Sequence, residues 1–431
     1  MRPTWWSVPV SVPVVKDGTV TSSAAVSAGD TAWLLASAAL VMLMTPALGF
    51  FYGGLVRRKN VLATIMHSFF ILALISVQWV LWGYSLAFGP DVHGLIGNLD
   101  WIGLHGVGAA PNPNYAPTVP HQAYMAFQMM FAVITPALIT GAFAERKRFK
   151  AFVLFSLVWS TLVYDPVAHW VWGAGGWLHQ LGALDFAGGT VVHITSGASA
   201  LVAAMVLGKR LGLGTESMDP HDATMSVLGA ALLWFGWFGF NAGSALTAGA
   251  LAASAFVTTN TAAAMGALTW MTVSWAIHRR PSVLGAAAGA VAGLVAITPA
   301  AGFVSVSAAI LIGFGAGILC FLGVQLKSRL HIDDALDVFA VHGIGGTWGA
   351  LATGVFATVA INSAGADGLL SGNPRQLLIQ ALAVAVVWVY SVVMTFVILK
   401  VIDLVIGIRV PEHEEVLGLD TSQHGEAAYQ L

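Results

Sequence analysis

Long apolar stretches alternate with short polar breaks along nearly the whole chain. A helix needs about 20 consecutive apolar residues to cross the hydrocarbon of a bilayer. Eleven stretches meet that length, at 31–55, 61–89, 121–144, 149–171, 187–208, 223–245, 250–277, 282–299, 302–326, 338–360 and 376–406. The spans at 149–171 and 282–299 are the least sharply defined, the first because it contains Asp165 and Pro166. The cations fall unevenly among the breaks. Arg57, Arg58 and Lys59 follow the first span, and Arg146, Lys147, Arg148 and Lys150 follow the third. Lys209 with Arg210, Arg279 with Arg280, and Lys327 with Arg329 follow the fifth, seventh and ninth, and Lys400 and Arg409 lie at and beyond the end of the eleventh. Arg2, Lys16 and Arg375 are the exceptions. Loops rich in lysine and arginine stay in the cytoplasm, so the pattern predicts an external N-terminus and an internal C-terminus. A miscounted helix would scatter the cations over both faces. The expected fold is therefore an all-α integral membrane protein with eleven transmembrane helices, N-out and C-in.

Three regions follow from this reading. Residues 1–29 form an external N-terminal segment. Arg2, an apolar stretch and the small residues Val26-Ser27-Ala28 resemble a signal peptide with its cleavage site, whereas Pro9, Pro13 and Lys16-Asp17 break that pattern, and both readings stay open. Residues 30–406 are the membrane domain. Residues 407–431 are polar and acidic, and are expected to form a cytoplasmic C-terminal tail. The break at 90–120, with Pro111, Pro113 and Pro117, is expected to be a long external loop.

Composition narrows the function classes. Of 431 residues, 57% are hydrophobic and 9% charged, against roughly a quarter charged in ordinary soluble proteins, so lipid must solvate much of the surface. A net charge of -2 leaves no basic surplus for phosphates, which excludes a nucleic-acid partner. The single cysteine, Cys320, lies in an apolar run, so no intrachain disulfide and no thiolate cluster is expected. The 48 glycines point to closely packed helices.

One pattern occurs twice. Asp185, Val192, His193 and Gly197 read D-x6-VH-x3-G, and Asp334, Val341, His342 and Gly346 read the same. Each histidine falls in the fifth helix of a five-helix half. Five is odd, so the second half enters the membrane from the opposite side. The repeat is inverted, as in transporter folds whose sites lie at the midplane between repeats; the eleventh helix stands outside it.

His193 and His342 lie near the middle of their apolar segments, where an ionisable residue is costly and points to function. The bland alternative is two separate imidazoles bonded to backbone carbonyls. Two imidazoles lack the further ligands that zinc requires, so no metal is expected. Neutral rings offering one donor and one acceptor suit a small polar molecule. Asp185 precedes Phe186-Ala187-Gly188-Gly189 and reads first as a helix N-cap, with attraction of cations to the outer mouth as the second reading. Asp334 is its inverted counterpart. Aromatic residues gather near outer helix ends: Phe127 with Phe131, Trp172, and Trp237 to Ser244 in WFGFNAGS. Aromatic faces attract a cation by about 0.5–2 kcal/mol each, although most such rings in a membrane protein are core or interface belt.

FYGGLVRRKNVL at 51–62, AERKRF at 144–149, ALDFAGGTVVHITSG at 183–197, GWFGFNAGSA at 236–245, DVFAVHGIGG at 337–346, and RVPEHEEVLGLD with HGEAAY in the tail together resemble the ammonium transporter (Amt/Mep/Rh) family, in its microbial Amt branch. The resemblance runs from about residue 30 to the end of the chain. It implies a homotrimer with one pore per subunit, in the cell membrane, carrying ammonium or ammonia and, by extension, methylammonium. It also implies that Phe131, Trp172 and Ser244 bind ammonium at an outer site, that Phe131 and Phe240 form a gate, and that His193 and His342, beside Trp237, line the pore. Asp185 matches the family's essential acid, and the tail resembles the segment that engages PII-type regulatory proteins. No cofactor and no catalytic residue is implied. Two rival classes remain at this stage. A membrane receptor for ammonium shares the fold but usually appends a signalling domain. A membrane enzyme built on His193 and His342 lacks a nucleophile, a base–carboxylate pair or a metal set.

Overall fold

The computed structural model describes residues 25–429. The signal-like segment lies almost wholly outside the described residues. Among those residues nine helices are long and apolar enough to cross a membrane: α1 (Ala28–Leu55), α2 (Arg58–Phe88), α3 (His121–Phe143), α4 (Phe149–Leu181, broken after Trp172), α5 (Gly189–Leu207), α6 (Ala223–Gly243), α7 (Ala250–His278), α9 (Val306–Arg329) and α11 (Pro374–Ile406). Between them lie two shorter helices, α8 (Val283–Ile297) and α10, which covers 339–356. A short helix in the tail is α12 (Glu412–Leu417).

Local chemistry sets where the helices start. Ser27, Asp222, Ser282 and Ser305 each accept a hydrogen bond from the third residue of the helix that follows, as N-caps do. α5 and α10 are capped by Asp185 and Asp334, and each opens with a wide π turn, Gly189–Ile194 and Phe339–Ile344. The long loop after α2 is ordered by a two-stranded hairpin, β1 (Asp91–Val92) with β2 (Ile96–Gly97).

The interior of the bundle is close-packed, and its outside is apolar. Leu378, Val389 and Leu404 on α11 are 70, 65 and 88% exposed. No aqueous surface would favour such a face, whereas lipid matches it.

The loops after α1, α3, α5 and α9 meet at one end of the bundle. There Arg57 pairs with Glu145, Arg210 with Asp333, and Arg146 donates to the carbonyls of Gly208 and Asp333. The tail is seated on the same end. Arg148 N donates to Ile408 O, Val410 N to Arg146 O, and Leu419 N to the Asn60 side chain. Asp420 accepts from the amides of Leu62 and Ala63 at the start of α2, and Glu415 accepts from Leu211 N and Arg409. A reading by polarity alone assigns these residues to solvent. Instead they satisfy backbone groups that the loops leave open.

Candidate functional site: a line of three cavities

The D-x6-VH-x3-G repeat acquires a physical reason where α5 and α10 cross. A Cβ on Gly197 would collide with the Gly343 backbone, and one on Gly346 would lie 2.9 Å from the His193 side chain. Each motif glycine thus lets the other helix's histidine turn come into contact, as small residues do between membrane helices. The two rings meet at the crossing, with Nδ1 to Nδ1 at 3.2 Å and centroids 5.2 Å apart. Both are buried, at 1 and 4% exposure. A hydrogen bond between two Nδ1 atoms needs one donor and one acceptor, so one ring carries its proton on Nδ1 and the other on Nε2. His193 Nε2 has no protein partner.

The histidines are not central in their helices, as the apolar segments suggest. Each lies in the opening π turn, because 182–188 and 330–337 enter the protein as non-helical chain and the helices begin inside it. Gly188, at φ +117°, makes the entry to α5, a conformation that residues with a side chain rarely adopt. The Asp185 carboxylate then accepts from the amides of Gly188, Gly189, Thr190 and Val191 at 2.7, 2.6, 2.8 and 3.2 Å, and from the Thr190 hydroxyl.

Above the histidines on the Asp185 side lies an aromatic column. Phe131 from α3 and Phe240 from α6 stack at 4.2 Å between centroids, and Trp172 meets Phe131 edge-on at 5.9 Å. Phe240 and Trp237 face the His193 ring at 6.1 and 5.6 Å. Trp237 is held by a bond to Thr298 Oγ1 and Trp172 by one to Asp185 O, each 2.9 Å. Ser244 Oγ donates to Phe240 O at 2.8 Å, so its oxygen lone pairs remain free to accept.

Three cavities follow one another along this line. An outer one of about 260 Å³ is lined by Tyr124, Gln128, Phe131, Trp172, Asp185 and Ser244 among others. A central one of only about 10 Å³, room for a single small molecule, is lined by Phe240, Trp237, His193, His342, Phe51 and Val291 among others. An inner one of about 260 Å³ shares Phe51, Val291 and His342 with the central one and reaches Tyr52, Leu336 and Asp337. The Phe131–Phe240 stack separates the outer cavity from the central one. Phe131, Trp172, Asp185 and Ser244 line the outer cavity and Trp237, Phe240, His193 and His342 the central one, whereas Phe127 and Asp334 line none of the three. The inner cavity was missed: Phe51, Tyr52 and Asp337 sit inside matched strings, but no local feature of the sequence marks them as lining.

Charges are concentrated beyond the inner cavity. Burial pushes the Asp334 carboxyl up to about 6, with Lys327 pulling it down and Asp337 pushing it further up. Burial also works against the Asp333 carboxylate, but Arg146 and Arg210 outweigh it and hold it below its ordinary value. Burial lowers the Arg146 guanidinium to about 10.

The description Ammonium Transporter Family matches residues 32–429. The chain is 57% identical to the ammonium transporter of Bacillus subtilis, over 93% of this chain and 98% of the relative. It is 50% identical to ammonium transporter Amt1 of Archaeoglobus fulgidus, over 94% and 100%. Its fold is similar to the crystal structure of Saccharomyces cerevisiae Mep2, with a TM-score of 0.86 at 38% identity, covering 94% of this chain and 92% of that one. A structure titled Sensor Amt Protein matches at a TM-score of 0.85 and 30% identity, covering 92% and 98%. These likenesses, with the fold and the line of cavities, define a multi-pass, all-helical membrane protein. The chain belongs to the ammonium transporter family.

Proposed function

We propose that this chain captures ammonium at its outer cavity, where the ion gives up a proton to water, and passes ammonia through the histidine-lined centre to the cytoplasm. In this reading all eleven helices cross the cell membrane as two inverted five-helix repeats plus α11, with the N-terminus outside and the tail at 407–431 inside. The observation that carries it is the alignment of the three cavities, with the Phe131–Phe240 pair between the outer and central ones and His342 shared by the central and inner ones. Phe131, Trp172 and Ser244 hold the cation by ring faces and one hydroxyl oxygen. Phe131 and Phe240 are the gate. His193, His342 and Trp237 line the pore, and Asp185 shapes the outer mouth by capping α5. The resemblance further implies a homotrimer and a PII-type partner on the tail side, and methylammonium fits the same outer contacts.

Magnitudes decide that the ion does not pass intact. Stripping a small cation of water in an apolar passage costs tens of kcal/mol. Two or three ring contacts return only a few kcal/mol. The central cavity has no fixed negative charge among its lining residues, whereas the imidazole pair supplies a donor and an acceptor for a neutral molecule. Potassium has no proton to lose and stops at the outer site.

The test is flux into proteoliposomes. The wild type is expected to carry ammonium and methylammonium and to exclude potassium. Potassium flux comparable to that of ammonium would overturn the deprotonation step. Absence of any ammonium flux would leave a receptor as the better reading. His193→Asp or His342→Asp places an acid at mid-pore and is expected to admit potassium where the variant folds.

A further inference from the structure

The inner mouth holds a cation of its own. Loop 330–337 brings three carboxylates to the end of the inner cavity. Asp333 is engaged by Arg210 through its backbone N–H at 2.7 Å and its guanidinium at 2.9 Å. Asp334 accepts from Phe339 N at 2.7 Å through Oδ2, while its buried Oδ1 finds no protein donor. Asp337 lines the cavity together with Leu336, Val341 and His342. It does so from a backbone at φ +61°, which is unfavourable for a residue with a side chain, so the fold holds this acid in place at a cost.

Lys327, in the last turn of α9, reaches across to this group. Its Nζ donates to the Asp334 carbonyl oxygen at 2.6 Å and forms an ion pair with the Asp337 carboxylate. A lysine at a helix end ordinarily keeps its charged head in water, yet this side chain is only 11% exposed. Its head is a primary alkylammonium, the same group that methylammonium presents and one substituent away from ammonium itself. Among the described residues neither lysine nor arginine lines the outer cavity, and the Asp185 carboxylate is turned onto helix amides.

We infer that Lys327 is a tethered substrate mimic whose ε-ammonium fills a cation site at the inner mouth, made by the Asp337 carboxylate and the Asp334 carbonyl, and so prevents capture of ammonium from that side. The inference rests on the ammonium-transport reading above. The tethered ion does not shift the equilibrium across the membrane, which only the gradient sets. It makes the two faces saturate differently. Ammonium is concentrated at the outer face by rings and a hydroxyl, and is not concentrated at the inner face because the acid there is already neutralised.

The experiment compares initial rates of methylammonium flux in oriented proteoliposomes, with the substrate applied to one face at a time. Lys327→Met is expected to lower the half-saturating concentration on the inner face by about fivefold, the worth of one freed ion pair. Potassium should then compete at that face, and the outer face should not change. Lys327→Arg, which keeps a cation, restores the wild-type asymmetry. An unchanged inner-face half-saturation in folded Lys327→Met overturns the mimic. Should that variant fail to fold, Asp337→Asn gives an independent test. It leaves Lys327 as an unneutralised cation beside the cavity and is expected to raise the inner half-saturation, and no change there overturns the inference equally. A wild type with no methylammonium flux from either face would instead overturn the transport reading.

Discussion

The two ends of the pore start from the same residues and use them differently. At the outer end, both oxygens of Asp185 are occupied by the first turn of α5, four amides and the Thr190 hydroxyl. At the inner end, Asp334 accepts from Phe339 N and leaves Oδ1 without a donor, and its surroundings are ionic: Lys327, Asp337, Asp333 and Arg210. The centre between them stays symmetric, because each motif glycine packs against the opposite histidine turn. The duplicated sequence thus builds the crossing, where the halves must match. The mouths diverge, and on the transport reading proposed above they face different solutions.

The sharpest way to break this comparison is to remove each acid in turn. Asp185→Ala leaves four buried amides and a hydroxyl without acceptors, at ~1–3 kcal/mol for each group stranded away from water. Even allowing for non-additivity, the loss rivals the whole stability of many domains. No folded, transporting protein is expected. Asp334→Ala removes far less and is expected to cost on the order of 1–2 kcal/mol. Thermal unfolding of detergent-solubilised protein, with ammonium flux from the same preparations, measures both. Equal losses would mean that the asymmetry in hydrogen bonding has no energetic weight.

Much of this was legible in the chain, and what was missed has identifiable causes. The apolar stretches locate the helices, since lipid requires long uncharged runs and the chain has few charges elsewhere. The D-x6-VH-x3-G repeat points to the histidine pair, because an inverted repeat brings equivalent positions together. Apolarity does not register turn type, so the π turns and the entry of α5 and α10 inside the protein were invisible, and the histidines seemed mid-helix. The inner cavity was invisible for a related reason. Phe51 and Val291 come from helices far apart in sequence, and nothing local tells a lining phenylalanine from a core one. How the tail is seated was not legible, because Asp420, Glu415 and Leu419 hydrogen-bond to loops some 200 to 360 residues away.

That tail contrast gives the next test, of intermediate size. Ending the chain before Arg409 removes the acceptors for Leu62, Ala63 and Leu211 and the strand-like pairing of Lys147 with Arg409. These groups lie at the water-facing end, so water replaces the lost partners and each bond counts only its net worth of about 0.5–1.5 kcal/mol. The truncated protein is expected to fold, to unfold at a lower temperature by several degrees, and to lose binding of a PII-type partner. A truncation that bound such a regulator as tightly as the intact chain would show that the tail is not the docking element. A truncation that did not fold at all would place the tail, with Asp185, among the elements the fold cannot do without.

The smallest effect is a pH slope confined to the inner mouth. Burial raises the Asp334 carboxyl from its model-peptide value near 4 to about 6. The groups that face it are Lys327, which opposes the rise, and Asp337, which adds to it. Below pH 4 the carboxyl is protonated in both folded and unfolded chains, and its contribution is fully present. Between about 4 and 6 the unfolded chain gives up the proton while the folded one keeps it, so stability falls as pH rises and levels off above the folded value. Asp334→Asn does not titrate. Its absolute stability carries the cost of the new amide, but the difference between variant and wild type isolates the titration. Thermal unfolding measured from pH 4.5 to 7.5 is therefore expected to show the wild type losing ground to Asp334→Asn up to about pH 6, by at most ~1.4 kcal/mol per unit. Asp185→Asn is the control from the outer end. Burial raises its carboxyl as well, but five donors oppose the rise, each favouring the charged form, so any slope it shows should be smaller than that of Asp334→Asn. A flat difference for Asp334→Asn would mean that Lys327 keeps this carboxylate charged throughout. The ion pair at the inner mouth would then extend over both acids rather than resting on Asp337.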